Sequence, residues 1–166
     1  MVTVALAAIP KAVAITPDGK HAYVAIQACS VCMTNVLADR VSVIDTASNT
    51  VVASVPVGVT PSDVAVTPDG TLVYVTNYNS NNVSVIATAS NTVVATVPVG
   101  TGPEGVAVTP DGKHAYVTNF TSNNVSVIDT RTNMVGTPIP VGNSPWPSPR
   151  TGNTPMSRIK APTTFR

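Results

Sequence analysis

Along most of the chain, short apolar segments are cut by polar turns every few positions. In Leu72-Val73-Tyr74-Val75-Thr76, Val73 and Val75 fall on one side of an extended segment and Tyr74 and Thr76 on the other. Val64-Ala65-Val66 precedes this segment across a Pro68-Asp69-Gly70 turn, where Pro fixes φ and Gly supplies a position at φ > 0. A polar loop from Asn77 to Asn82 leads to Val83–Ile86, and Thr88 to Asn91 turns the chain into Val93–Val97. These four segments are predicted strands, joined closely enough for an antiparallel meander. A helix would need a 3.6-residue apolar period over about ten residues, and the chain has no such stretch.

The unit recurs. Thr67-Pro68-Asp69-Gly70 returns as Thr109-Pro110-Asp111-Gly112, 42 residues later, and Tyr74-Val75-Thr76-Asn77 returns as Tyr116-Val117-Thr118-Asn119. Asn82-Val83-Ser84-Val85-Ile86 returns from Asn124 to Ile128, and Val97-Pro98-Val99-Gly100 as Ile139-Pro140-Val141-Gly142. An earlier copy holds Thr16-Pro17-Asp18-Gly19, Tyr23-Val24, Val41-Ser42-Val43-Ile44 and Val55-Pro56-Val57-Gly58. Its turn lies 51 residues before the next, and the 9 extra residues fall between Ala25 and Val41. Four short strands per forty-odd residues is the pattern of a β-propeller blade. The expected fold is therefore all-β: a partial β-propeller of about three four-stranded antiparallel blades, at about 10–58, 59–100 and 101–142, with an irregular C-terminal tail.

Tyr-Val-Thr-Asn after a Thr-Pro-Asp-Gly turn, followed by Asn-Val-Ser-Val-Ile, resembles the YVTN β-propeller repeat family over about residues 1–142. The resemblance implies a normally larger ring and a binding or surface protein, not an enzyme, outside the cytoplasm in a periplasm or on a cell surface. The first copy departs from the pattern, with Ala25-Ile26 in place of Thr-Asn, and Ala87 stands where the other copies have Asp45 and Asp129.

Both ends of the chain differ from the repeat body. Residues 1–9 align with the strand before the Pro of each repeat, Val4 standing where Val97 stands, so they are expected to be a strand of a preceding blade. A secretory signal would need a basic start and a longer apolar core, and Met1-Val2-Thr3 carries no charge. Residues 143–166 hold Pro145, Pro147, Pro149, Pro155 and Pro162, a density that no central strand absorbs. Reading each codon's last base with the next codon's first two, from Trp146 onward, permits A-V-T-P-D-G-K-H-A-Y-V-T-N-Q-G-S-N-N-V-S. The tail is thus expected to be a fourth repeat read out of frame, and the chain a fragment. The encoding nucleotide sequence decides this.

Charge separates the body from the tail. The formal net charge is +1, yet residues 1–142 carry five basic and eight acidic residues, and Arg150, Arg158, Lys160 and Arg166 supply the rest. A net-negative body opposes nucleic-acid binding. No apolar run reaches the roughly 18 residues of a membrane span. Three blades cannot close a ring of about four to eight, so open apolar blade faces are expected to drive self-association or to leave a poorly stable fragment.

Candidate chemistry is sparse. Asp18, Asp69 and Asp111 sit in the Pro-Asp-Gly turns, Asp45 and Asp129 begin the turn after the third strand, and only Asp39 falls outside the repeat pattern. Acids at equivalent positions on neighbouring blades lie about a blade apart, which suits structure better than a catalytic pair. His21 and His114 open second strands where the middle copy has Leu72, so they read as structural or surface residues. No catalytic, cofactor or metal-ligating set is expected. A propeller enzyme of lactonase or quinoprotein dehydrogenase type, its site lost or lacking, is the alternative function. Cys29 and Cys32, in the enlarged loop, leave three readings open: a local disulfide, free thiols, or a metal or redox pair. The loops bounded by Asn77 and Asn82 and by Asn119 and Asn124 are the candidate ligand face, for a protein or cell-surface partner.

Overall fold

The computed structural model describes residues 9–28 and 38–142. The strand expected at residues 1–9 apart from Ile9, the cysteine pair and the tail lie outside the described residues. Twelve strands form three sheets. The first holds β1 (Ile9–Ile15), β2 (His21–Gln27), β3 (Arg40–Asp45) and β4 (Thr50–Pro56). The second holds β5 (Pro61–Val66), β6 (Leu72–Asn77), β7 (Asn82–Ala87) and β8 (Thr92–Pro98). The third holds β9 (Pro103–Val108), β10 (His114–Asn119), β11 (Asn124–Asp129) and β12 (Ile139–Pro140). Each is an antiparallel meander in chain order, so the expected all-β, three-blade architecture is what the chain adopts. Among the described residues no helix is long and apolar enough to cross a membrane.

The blades repeat in detail. β1, β5 and β9 each carry a bulge just after their Pro, and β4 and β8 each carry one near mid-strand. Asn49, Asn91 and Asn133 hold left-handed φ values of 54°, 50° and 56° in the last turn of each blade. Asn tolerates that region better than other non-glycine residues, which explains its recurrence there.

β12 is the exception, for it has two residues where β8 has seven. Gly136 and Pro138 occupy the positions of Val94 and Thr96. Thr96 pairs with Ser84 in the second blade, and a proline there has no N–H to give its neighbour. An outer edge strand tolerates this loss, and only Ile139 and Pro140 rejoin β11.

The hydrophobic cores lie between blades. Tyr23, Ala25, Val41, Val43 and Val55 of blade 1 pack on Val64, Val73, Val75 and Ile86 of blade 2. Tyr74, Val83, Val85 and Val97 of blade 2 pack on Ala115, Val117 and Ile128 of blade 3. Strand alternation places Val73 and Val75 toward one neighbour and Tyr74 toward the other, so β6 is buried on both faces from Val73 to Asn77. β10 alternates instead: Ala115, Val117 and Asn119 are buried while Tyr116 and Thr118 are exposed. Tyr116 is 42% exposed where Tyr74 is fully buried.

Candidate functional site

The strand connections sort to two ends of the blades. At one end the β2–β3-type loops meet the links between blades: the Tyr78 and Asn79 amides donate to the Thr60 and Val59 carbonyls, and the Phe120 amide to Gly102. At the other end the Pro-Asp-Gly turns meet the last turn of each blade, with the Thr46, Thr88 and Thr130 amides bonded to Lys20, Thr71 and Lys113 carbonyls.

At the loop end, Asp39 proves to be part of the repeat. It stands two residues before Val41, as Asn81 stands before Val83, and the two side chains do the same work. Asp39 accepts from the Ala28 amide at 2.7 Å and the Thr60 amide at 3.1 Å, joining blade 1 to the link into blade 2. Asn81 accepts from the Gly102 amide at 2.9 Å, one blade further on. Thr60 and Gly102 are both left-handed, at φ 60° and 64°. Asp63 makes a second bridge, accepting from the Val106 amide of blade 3 at 2.9 Å.

The four asparagines of the expected ligand face fall at strand ends, paired Asn77 with Asn82 and Asn119 with Asn124. Asn77 and Asn119 are buried. The Asn77 amide donates to Asn82 Oδ1 at 2.8 Å and Ser84 Oγ at 2.9 Å, and Asn119 repeats this toward Asn124 and Ser126 at 2.8 and 3.0 Å. The links between blades cover both, with Gly58 against Asn77 and Gly100 against Asn119. Asn82 and Asn124 are half-buried. This end offers to solvent a half-buried Tyr78, exposed Asn79, a half-buried Ser80 and an exposed Phe120, with the exposed charges of Lys11 and Glu104 and a half-buried Arg40 at its strand starts.

At the turn end a cleft of about 270 Å³ opens between blades 1 and 2, lined by Thr16, Asp18, His21, Asp69, Gly70 and Thr88 among others. It brings together two turn acids and one histidine that are far apart in sequence. Asp18 Oδ1 accepts from Thr16 Oγ1 at 2.6 Å and the Lys20 amide at 3.0 Å. Asp69 Oδ1 accepts from Thr67 Oγ1 at 2.6 Å and from the Thr71 amide and hydroxyl at 3.0 and 2.9 Å. These donors favour the charged form, the Thr16 and Thr67 hydroxyls most, and hold both carboxyls below their ordinary pKa. A carboxylate held ionised by such donors is a weak proton acceptor at neutral pH and no proton donor. The cleft sets two ionised carboxylates beside His21, with the Lys20 ammonium 3.7 Å from Asp18 Oδ2. Histidine 114 lies one blade beyond Leu72 and does not line it.

Asp111, Asp45 and Asp129 are likewise held low, by donation from Thr109, Ser48 and Thr132 first of all. A carboxyl with a depressed folded-state pKa contributes stability above its unfolded pKa of about 3.9 and loses it as pH falls through the folded value. Thermal stability is therefore expected to decline as pH drops below about 4. Asp69→Asn should lower the melting temperature at pH 7 and shrink that gap to wild type at pH 2.5. A gap that grows on acidification would contradict the assignment.

A family model described as YNCE-like beta-propeller matches residues 6–109. That match covers more than half of the chain and includes the two blades in which Asp39 and Asn81 latch onward. The chain belongs to the YNCE-like β-propeller family. Among solved structures it is similar to hydrazine synthase of Kuenenia stuttgartiensis, at 31% identity and a TM-score of 0.69, covering 78% of this chain and 35% of that one. A functionally unknown protein of Desulfotomaculum acetoxidans DSM 771 matches at 20% identity and a TM-score of 0.67, covering 81% of this chain and 43% of that one. The WD40 repeats of RRP9 match at 15% identity and a TM-score of 0.70, covering 82% and 40%. The last two show the fold alone. The chain spans less than half of each of these structures. No curated protein matches it.

The departures from the repeat in this YNCE-like chain have local explanations. Ile26 takes the register of Asn77 and is fully buried, so an apolar side chain fills the place of a buried amide. Ala87 takes the register of Asp45, whose carboxylate accepts from the Ser48 amide at 2.7 Å. Without it, that turn keeps the backbone bond from Asn91 to the Ala87 carbonyl at 2.9 Å.

Proposed function

We propose that this chain is a non-catalytic binding or structural module that works outside the cytoplasm, at a cell surface or in a periplasm. One observation carries the reading: of eight acids in the sequence, seven have carboxylates engaged in turns or inter-blade bridges, Asp18, Asp45, Asp69, Asp111 and Asp129 in the former and Asp39 and Asp63 in the latter. Side chains committed to holding the blades leave little for acid–base work or metal ligation. The partner surface is the loop end around Tyr78, Asn79 and Phe120, where polar and aromatic side chains stand beside charges of both signs, Lys11 and Glu104 among them, and no basic cluster favours nucleic acid over a protein or glycan. The family's usual extracytoplasmic setting supports the location.

The rival reading is a propeller enzyme, favoured by the likeness to the hydrazine synthase of Kuenenia stuttgartiensis. Metal analysis of the purified chain after dialysis separates the two. The expected result is calcium and zinc well below one equivalent per chain. Retention of a full equivalent that Asp18→Asn or Asp69→Asn releases would favour the enzyme.

A further inference from the structure

The blades present one interface twice. Forward faces bear a Tyr and three aliphatic residues, Tyr23, Val41, Val43 and Val55 in blade 1 and Tyr74, Val83, Val85 and Val97 in blade 2. Backward faces receive them with Val64, Val73, Val75 and Ile86 in blade 2 and Val106, Ala115, Val117 and Ile128 in blade 3. Two polar contacts accompany the packing. The forward tyrosine reaches the left-handed Asn of the next blade, Tyr23 to Asn91 at 2.8 Å and Tyr74 to Asn133 at 3.5 Å. Thr76 Oγ1 donates to the Glu104 carbonyl at 3.0 Å.

Blade 3 carries the same forward face in Tyr116, Val125, Val127 and Ile139, with Tyr116 42% and Ile139 46% exposed. Blade 1 carries the same backward face in Val13, Ala22, Val24 and Ile44. Val24 lies deep, but Val13 is 62% exposed where its equivalent Val64 is 6% exposed. Asn49, at φ 54°, holds the conformation of Asn91 and Asn133.

We infer that a second copy of this chain seats its blade 1 on the forward face of blade 3, head to tail, repeating the interface that the chain makes within itself. Tyr116 then donates to Asn49 of the second copy, and Thr118 to its Lys11 carbonyl, as Tyr74 and Thr76 do to Asn133 and Glu104. A head-to-tail contact forms rings when its rotation closes. The described blades of two copies number six and meet at two identical junctions, within the range of about four to eight blades at which propellers close. The inference concerns assembly and does not depend on the proposed function.

Sedimentation velocity across a concentration series tests it, with single-face variants at exposed positions. The wild-type chain of 17.0 kDa is expected to shift reversibly to twice that mass. Val13→Arg blocks one face and Tyr116→Asp the other, and each alone should weaken association by at least about 30-fold, the scale of a single interface hot spot. Mixed in equal amounts, the variants retain one intact face each and should pair one to one. Circular dichroism checks that each variant is folded, and Ile15→Arg with Ile139→Asp replaces any that is not. A wild type that stays monomeric throughout overturns the inference, as it would if other segments of the chain covered these faces. So do association that survives both substitutions, and a mixture that fails to pair.

Discussion

Replacing Tyr74 with alanine is expected to destabilise the chain by about 3–5 kcal/mol, the range for large aromatic truncations in a packed core. The side chain is fully buried between blades 2 and 3. Its hydroxyl reaches Asn133, and burial first, then Asp129 and Asp69, push its pKa up to about 12. Tyr23→Ala should cost a similar amount, because Tyr23 is buried between blades 1 and 2 and bonds to Asn91. Tyr116→Ala at the third repeat position should cost less than about 1 kcal/mol in dilute solution, since a side chain 42% exposed leaves no closed cavity when removed. Three residues in one sequence motif thus have unequal worth, set by whether a neighbouring blade packs on them among the described residues. Urea denaturation of the three variants at low protein concentration reads the difference. Equal losses at all three positions would mean that blade 3 is covered as fully as blade 2.

The second large effect is expected at Gly58. A Cβ there would stand 2.7 Å from Asn77 Cγ, and at Gly100 2.6 Å from Asn119 Cγ. The link between blades passes directly over the buried asparagine of the next blade, and only a hydrogen fits. Gly58→Ala and Gly100→Ala should each cost about 1–3 kcal/mol, the scale of overpacking in a filled core. Asn77→Ala should also destabilise, by stranding Asn82 Oδ1 and Ser84 Oγ without their donor. The pair Gly58→Ala with Asn77→Ala should cost less than the sum of the singles by at least about 1 kcal/mol, because the second change makes room for the first. Additive costs would show that the methyl group meets something other than Asn77. Gly19 makes a useful contrast: nothing lies within 4 Å of its Cβ position, so a substitution there is opposed only by its φ of +71°.

Much of the fold was legible because it is written three times. The turn Thr67-Pro68-Asp69-Gly70 and its copies fix where strands end, and the period-two alternation around Tyr74 fixes which residues share a face. The shortness of β12 was also within reach, since Pro138 stands where a ladder partner is needed. The roles of the asparagines were not. An Asn beside small polar residues reads as loop chemistry, and only the paired strands show that Asn77 and Asn119 turn inward to Ser84 and Ser126 of the same blade. Asp39 was hidden by the nine-residue insertion before it, which breaks the register counted from the preceding turn. Counting back from Val41 places it beside Asn81. The cleft lined by Asp18, His21 and Asp69 joins two blades, and nothing local to either motif reveals that neighbour.

That the cores lie between blades, and that only blade 2 has both its faces packed on neighbouring blades among the described residues, is tested most directly by hydrogen–deuterium exchange on the dilute chain. Peptides spanning β6 and β7 should be the slowest to exchange and those spanning β11 and β12 the fastest, because local opening follows buried apolar contact and hydrogen-bond coverage. Protection in β11 and β12 equal to that in β6 and β7 would contradict a third blade whose forward face, bearing Tyr116 and Ile139, has no neighbouring blade among the described residues.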